Sequence, residues 1–255
     1  MDFQQVVSYI LSHFGTWTAG SLTIVDLIAA TTAAFNGALL ARRPDHYRHW
    51  TVVGIILMAI LAGIGGGVVR DILLNTIPAA LTNPWYLILC CLAGALGVAV
   101  AFGPSQRFRD GIYQFMLAFA LPWYAVVGAQ KALNDQLPIL ACVLIGVVGP
   151  TFGRYFVDMT ALVPPKHFIR GEWFVGTAVL TSIVYLVVAI AGMPFYASVA
   201  VAFIVGFGFR VLALWRLWEE PEPWEPAEVK AGEAQRMSLG EGLRREFDAK
   251  GEKQP

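Results

Sequence analysis

Two stretches of the chain set helix-breaking residues beside a cation. Gly63, Gly65, Gly66 and Gly67 precede Arg70 and Asp71 inside one long apolar run. The design returns at Gly146, Gly149, Pro150 and Gly153, followed by Arg154 and Asp158 in another apolar run. Glycine lowers helix propensity by about 1 kcal/mol relative to alanine. Proline removes a backbone donor and crowds the preceding turn. Both stretches are therefore expected to be kinked helices with freed carbonyl groups. A charge at mid-bilayer costs about 2.5–3.5 kcal/mol on insertion scales, so it faces protein or water. Carbonyl dipoles can replace part of an ion's hydration shell, and fixed charges can shape the field around it. The eight glycine and proline positions are the candidate pore kinks. Arg70, Asp71, Lys131, Arg154 and Asp158 are the candidate gating or field-shaping charges.

Each candidate has a plainer reading. Gly63 with Gly67, and Gly149 with Gly153, make the spacing that lets two helices pack closely. The charges can snorkel to the membrane surface or pair locally. Asp26, early in its apolar segment, is expected near the outer headgroups, and Arg210 is expected to snorkel. His46 and His49, among Arg42, Arg43 and Arg48, are expected to meet lipid phosphates rather than a metal.

Catalytic patterns are missing. The chain has no nucleophile elbow, no HExxH and no phosphate-cradling loop. Its glycines miss the dinucleotide fingerprint, because Arg70 stands where a glycine belongs. Cys90, Cys91 and Cys142 lie in apolar runs without CxxC spacing and read as packing residues. No enzyme activity, cofactor or metal is expected, and the basic loops read as topology signals rather than nucleic-acid patches.

The elements that must position these residues are membrane helices. The 255 residues are 57% hydrophobic and 14% charged, against about 25% charged in soluble domains. A bilayer core needs roughly 20 apolar residues per helix. Segments 22–41, 51–75, 84–102, 112–133, 138–160, 172–191 and 194–216 meet that length approximately. Trp50, Trp85, Tyr86, Trp173, Trp215 and Trp218 fall near segment ends and read as interfacial anchors. Arg42, Arg43, Arg48, Arg107, Arg109, Lys166, Arg170 and Arg216 collect on one side of this layout, against Lys131 on the other. The positive-inside rule then puts the N-terminus outside and the C-terminus in the cytoplasm of a plasma (inner) membrane protein.

Asp26–Ala41 resembles Leu117–Ala132, Gly65–Arg70 aligns with Gly149–Arg154, and Trp85 matches Trp173. Three helices repeated must be inverted, since the count is odd, and inverted repeats commonly enclose a pathway. The expected fold is an all-α membrane protein with seven transmembrane helices, two inverted three-helix repeats plus a seventh helix. The boundaries are 1–21 for an extracytoplasmic segment, 22–106 and 107–192 for the repeats, 193–216 for the last helix, and 217–255 for a tail. That tail holds six basic and ten acidic residues. It opens with Pro221, Pro223 and Pro226 among glutamates, and reads as disordered and cytoplasmic.

The run Gly65-Gly66-Gly67-Val68-Val69-Arg70-Asp71-Ile72-Leu73-Leu74, followed by Ile77-Pro78, resembles the prokaryotic branch of the trimeric intracellular cation (TRIC) channels. Some members of that two-repeat bacterial family are labelled glycine transporters. The resemblance covers about residues 20–216. It departs from the family at Tyr155, where an aspartate often follows the second arginine; Asp158 stands one turn later. The resemblance implies a homotrimer with a pore in each subunit, kinked helices two and five beside it, and potassium-preferring conduction of monovalent cations. It also implies a lysine on helix four, matched here by Lys131. Animal members bind an acidic phosphoinositide near a Lys-Glu-Val motif. Val68-Val69-Arg70-Asp71 replaces that motif, so only membrane lipids, anionic ones among them, are expected as lipid partners. The rival function is a secondary transporter of a small solute such as glycine.

Overall fold

The computed structural model describes residues 20–43, 46, 48–102, 106–165 and 173–218; the side chains of 101, 102 and 106–110 stand outside that description. The expectations for residues 1–19, Lys166, Arg170 and the tail from 219 onward lie outside the described residues.

Among the described residues, seven long helices follow one another. They are α1 (Ser21–Leu40), α2 (Val52–Leu73), α3 (Pro84–Phe102), α4 (Gln106–Asn134), α5 (Ile139–Thr160), α6 (Phe174–Ile190) and α7 (Phe195–Trp215). A one-turn helix, Ala79–Thr82, lies between α2 and α3. Five of the long helices, α1, α2, α4, α5 and α7, are long and apolar enough to cross a bilayer. The apolar stretches of α3 and α6, Pro84–Val100 and Phe174–Ile190, are shorter. At 1.5 Å per residue they span about 26 Å, slightly less than a hydrocarbon core of about 30 Å. The chain is therefore an all-α, multi-pass membrane protein with five to seven spans. Its outer faces carry apolar side chains such as Ile77, Leu81 and Leu140, as a surface in lipid requires.

The sequence ends these helices by a recurring device. Asn75, Gln136, Leu162, Gly192 and Leu217 adopt positive φ just past α2, α4, α5, α6 and α7. At each, the following N–H reaches back five residues, as Thr76 N does to Asp71 O (2.9 Å) and Val163 N to Asp158 O (2.9 Å). This doubly bonded stop satisfies carbonyls that a helix end leaves free. Pro138, Pro164 and Pro194 come next in three cases, and a proline cannot extend the helix behind it.

Small residues hold the bundle together. Ala30, Ala34 and Ala38 form a stripe on α1 and are at most 2% exposed. Gly37 of α1 lies against Ala62 of α2, and Gly128 of α4 lies against Ile145 and Gly146 of α5. In lipid, close backbone approach and van der Waals contact replace the hydrophobic drive of water.

Two expectations are corrected here. Arg210 does not snorkel. It is 0% exposed, because α7 turns its Gly206, Arg210 and Ala213 stripe inward, with Gly206 against Thr181 of α6. Tyr86 is no interfacial anchor, since it is buried and its hydroxyl points to Asp26. Trp85, Trp215 and Trp218 do lie exposed at helix ends.

Candidate functional site

The two glycine-rich stretches meet. A Cβ added to Gly66 would stand 1.8 Å from Gly149 O and 2.9 Å from Gly153 N. One on Gly153 would stand 2.7 Å from Ala62 O. Gly63 faces Ala30 O (2.6 Å) and Cys90 Sγ (2.8 Å), and Gly146 faces Ser182 Oγ (2.2 Å) and Ala125 O (2.9 Å). Real Cβ atoms do not come this close to backbone, so these four glycines are where α2 and α5 touch each other and their neighbours. Gly65 abuts only the Phe156 ring, a movable side chain, at 2.8 Å. Gly67 and Gly149 have ordinary room, with nearest atoms at 3.6 Å.

Neither helix is broken in two. In α2 the strain is taken up by one π turn, Leu61–Gly65, between α-helical Val52–Ile60 and Gly66–Leu73. Such a turn admits one extra residue and commonly marks a functional position. In α5 the helix runs through Pro150. The proline removes one donor, and Thr151 Oγ1 donates to Val147 O at 2.6 Å. At the two expected kinks stand a π turn in α2 and a proline inside a continuous α5.

Near one end of the bundle, three helices bring charges together and a fourth adds a tyrosine hydroxyl. Arg70 on α2 donates Nε to Asp71 Oδ1 (2.8 Å), Nη1 to Asp26 Oδ1 (3.1 Å) and Nη2 to Asp26 Oδ2 (3.0 Å). Lys131 on α4 donates to Asp71 Oδ1 at 2.9 Å and stands 3.8 Å from Asp26 Oδ2. Tyr86 on α3 donates its hydroxyl to Asp26 Oδ2 at 2.8 Å. Asp71 Oδ2 accepts the Ala79 N–H (3.0 Å), tying the one-turn helix to the cluster. Two cations face two carboxylates, so their charges balance. The fork of Arg70 on Asp26 is the bidentate geometry that makes such pairs strong.

A smaller cluster lies toward the opposite end. Arg154 on α5 donates Nε to Asp158 Oδ1 at 2.8 Å, one turn along its own helix. His46 Nε2 donates to the same oxygen at 2.8 Å. Arg43 and Arg154 both lie over the Tyr113 ring, at 4.7 and 5.6 Å, within cation–π range. His46 is 0% exposed, which corrects the expectation that it meets lipid phosphates. Trp50 Nε1 donates to His46 O (2.9 Å) and so fixes the backbone that carries this side chain.

A series of cavities runs between the helices. The outermost is bordered by Lys131, Asp26 and Tyr86. The next shares Asp26 and Tyr86 and adds Arg70, Asp71, Gly63 and Tyr124. The third shares Tyr124 and adds Asn36, Pro150 and Arg154. Between the second and third, Tyr124 on α4 donates its hydroxyl to Gly63 O in the π turn. Among the described residues, no group of three His, Cys, Asp or Glu side chains could hold a metal ion.

Asp26, Asn36, His46, Tyr86, Tyr113 and Tyr124 are the site residues that sequence reasoning missed. Asp26 had a signal: two cations in apolar runs, Arg70 and Lys131, with only Asp71 beside them call for a second carboxylate at their depth. The tyrosines had none, because an aromatic in an apolar helix looks the same whether it packs or donates.

Comparison with known proteins defines first a class: multi-pass membrane transport proteins, outside the enzymes, with the fold of the TRIC cation channels. A Rhodobacter sphaeroides TRIC trimeric intracellular cation channel orthologue superposes with a TM-score of 0.68 at 25% identity, covering 76% of this chain and 96% of that one. A prokaryotic TRIC channel crystallised in 0.5 M KCl superposes with a TM-score of 0.70 at 21% identity, covering 77% and 97%. Residues 23–102 and 114–190 match the family described as "Glycine transporter", and the chain belongs to that family. Relatives include a UPF0126 membrane protein of Deinococcus radiodurans, 29% identical over 63% of this chain and 72% of its own. The UPF0126 inner membrane protein YadS of Escherichia coli is 24% identical over 63% of this chain and 75% of its own.

Proposed function

We propose that the chain is a potassium-preferring monovalent-cation channel with a pore inside each subunit, beside α2 and α5. The observation that carries this reading is the series of cavities from Lys131 to Pro150, linked by Asp26 and Tyr86 and then by Tyr124. The solved relatives are described as cation channels, which supports the same reading. The charge-balanced cluster of Asp26, Arg70, Asp71 and Lys131 lets a cation pass the mouth without facing net positive charge. Arg70, Lys131 and Arg154 do not bind the ion; they set the field and, with Asp71 and Asp158, hold the mouths in shape. The Tyr124–Gly63 hydrogen bond closes the path between two chambers.

The assembly is a homotrimer in the plasma (inner) membrane. Its N-terminus is outside and its C-terminus cytoplasmic, and it has two inverted three-helix repeats followed by α7. The like positions of Gly37 against α2 and Gly128 against α5 support the repeat. Membrane lipids, anionic ones among them, surround it. A second reading, secondary transport of a small solute such as glycine, is favoured by the family's description and by two chambers parted at a single contact. Flux into proteoliposomes decides between them, with K⁺, Na⁺ and glycine tested side by side and Arg70→Ala as comparison. A channel passes K⁺ passively, without saturating glycine uptake.

A further inference from the structure

Among the buried polar atoms without a hydrogen bond, an acceptor borders one of the cavities. Asn36 on α1 is 6% exposed, and its Oδ1 is buried without a hydrogen bond. It borders the third cavity, whose walls there are mostly apolar, with Leu117, Leu121 and Val157 among them. Buried acceptors are normally satisfied, and an amide oxygen offers two lone pairs. An acceptor in an apolar wall calls for an occupant that donates a hydrogen bond or carries positive charge. Tyr124 borders the same chamber. Its hydroxyl, having donated to Gly63 O, keeps acceptor capacity of its own. Arg154, also in the wall, is matched by Asp158, so the chamber carries no strong excess of positive charge from that side.

We propose that this chamber is a resting site for a partly dehydrated monovalent cation, with Asn36 Oδ1 as its protein ligand. The proposal rests on the channel reading for its role in conduction. One amide oxygen, helped by water, makes a weak site. Conduction needs that weakness, since an ion must leave as readily as it arrives. Asn36 therefore sets the preference for small cations over organic ones at the chamber beyond Tyr124.

Two readouts on the purified full chain test this. Unitary conductance is measured for the wild type, Asn36→Leu and Asn36→Asp. The melting temperature of each is measured in KCl against choline chloride at equal ionic strength. The wild type is expected to melt higher in KCl, and Asn36→Leu to lose that difference. Asn36→Leu should also lower K⁺ conductance by roughly threefold or more, and Asn36→Asp should lower it too, because a carboxylate holds the ion more tightly than an amide and slows its exit. An Asn36→Leu protein that keeps both its KCl-dependent melting rise and its conductance overturns the proposal. If Asn36→Leu does not fold, an Asn36→Asp conductance equal to the wild type overturns it instead. A silent wild type whose KCl-dependent rise still requires Asn36 overturns the channel reading and supports the site.

Discussion

Tyr124 on α4 donates its hydroxyl to the carbonyl oxygen of Gly63, inside the single π turn of α2. The bond joins the two helices at the place where one cavity ends and the next begins. The π turn and the tyrosine are thus two halves of one contact.

Tyr124→Phe removes this bond and keeps the ring. A hydrogen bond contributes about 0.5–1.5 kcal/mol net, so the open-to-closed ratio should rise by up to about tenfold. Single-channel recording measures this as a higher open probability at unchanged unitary conductance. An open probability equal to the wild type contradicts a closing role for Tyr124.

Asp26→Ala leaves Arg70 without the carboxylate that takes both of its Nη groups. Removing one partner of a buried ion pair costs about 3–5 kcal/mol, so thermal unfolding should shift strongly downward. The double variant Asp26→Leu with Arg70→Met should recover most of that loss, because no buried charge remains alone. A double variant no more stable than Asp26→Ala contradicts this account of the cluster.

Gly66→Ala and Gly67→Ala should differ sharply. A methyl at Gly66 would meet Gly149 O at 1.8 Å, whereas at Gly67 the nearest atom is 3.6 Å away. Gly66→Ala should forfeit folded protein in size-exclusion chromatography. Gly67→Ala should fold as well as the wild type or better, since alanine is favoured in a helix by about 1 kcal/mol. Equal tolerance at both positions contradicts the contact of α2 with α5.

Lys131→Gln leaves the mouth cluster with one more negative than positive charge. Its side chain is 22% exposed, so the change reaches the water at the mouth. Cation conductance should rise in dilute salt and return to the wild-type value near 1 M, where the screening length falls to about 3 Å. An increase that persists at high salt contradicts a long-range field effect.

The sequence makes the helices legible because their signal is composition over a long window. The apolar segments 22–41 and 138–160 coincide with α1 and α5 to within two residues at either end. Glycine spacing located the α2–α5 contact, yet it could not tell packing from breaking. That distinction depends on which backbone lies opposite, as Gly149 lies opposite Gly66. Arg154 and Asp158, one turn apart, were readable as a pair. The pairing of Arg70 with Asp26 was not, because it joins residues on different helices. His46 was misread because its neighbours in sequence are basic, while its neighbour in space is Asp158.

The central claim is that ions cross each subunit past Tyr124. The most direct measurement is the current through planar bilayers containing purified, demonstrably folded protein in symmetric KCl. The account gives discrete unitary K⁺ currents, with longer openings in Tyr124→Phe. Electrically silent bilayers, alongside saturable glycine uptake driven by an ion gradient in liposomes of the same preparation, contradict it.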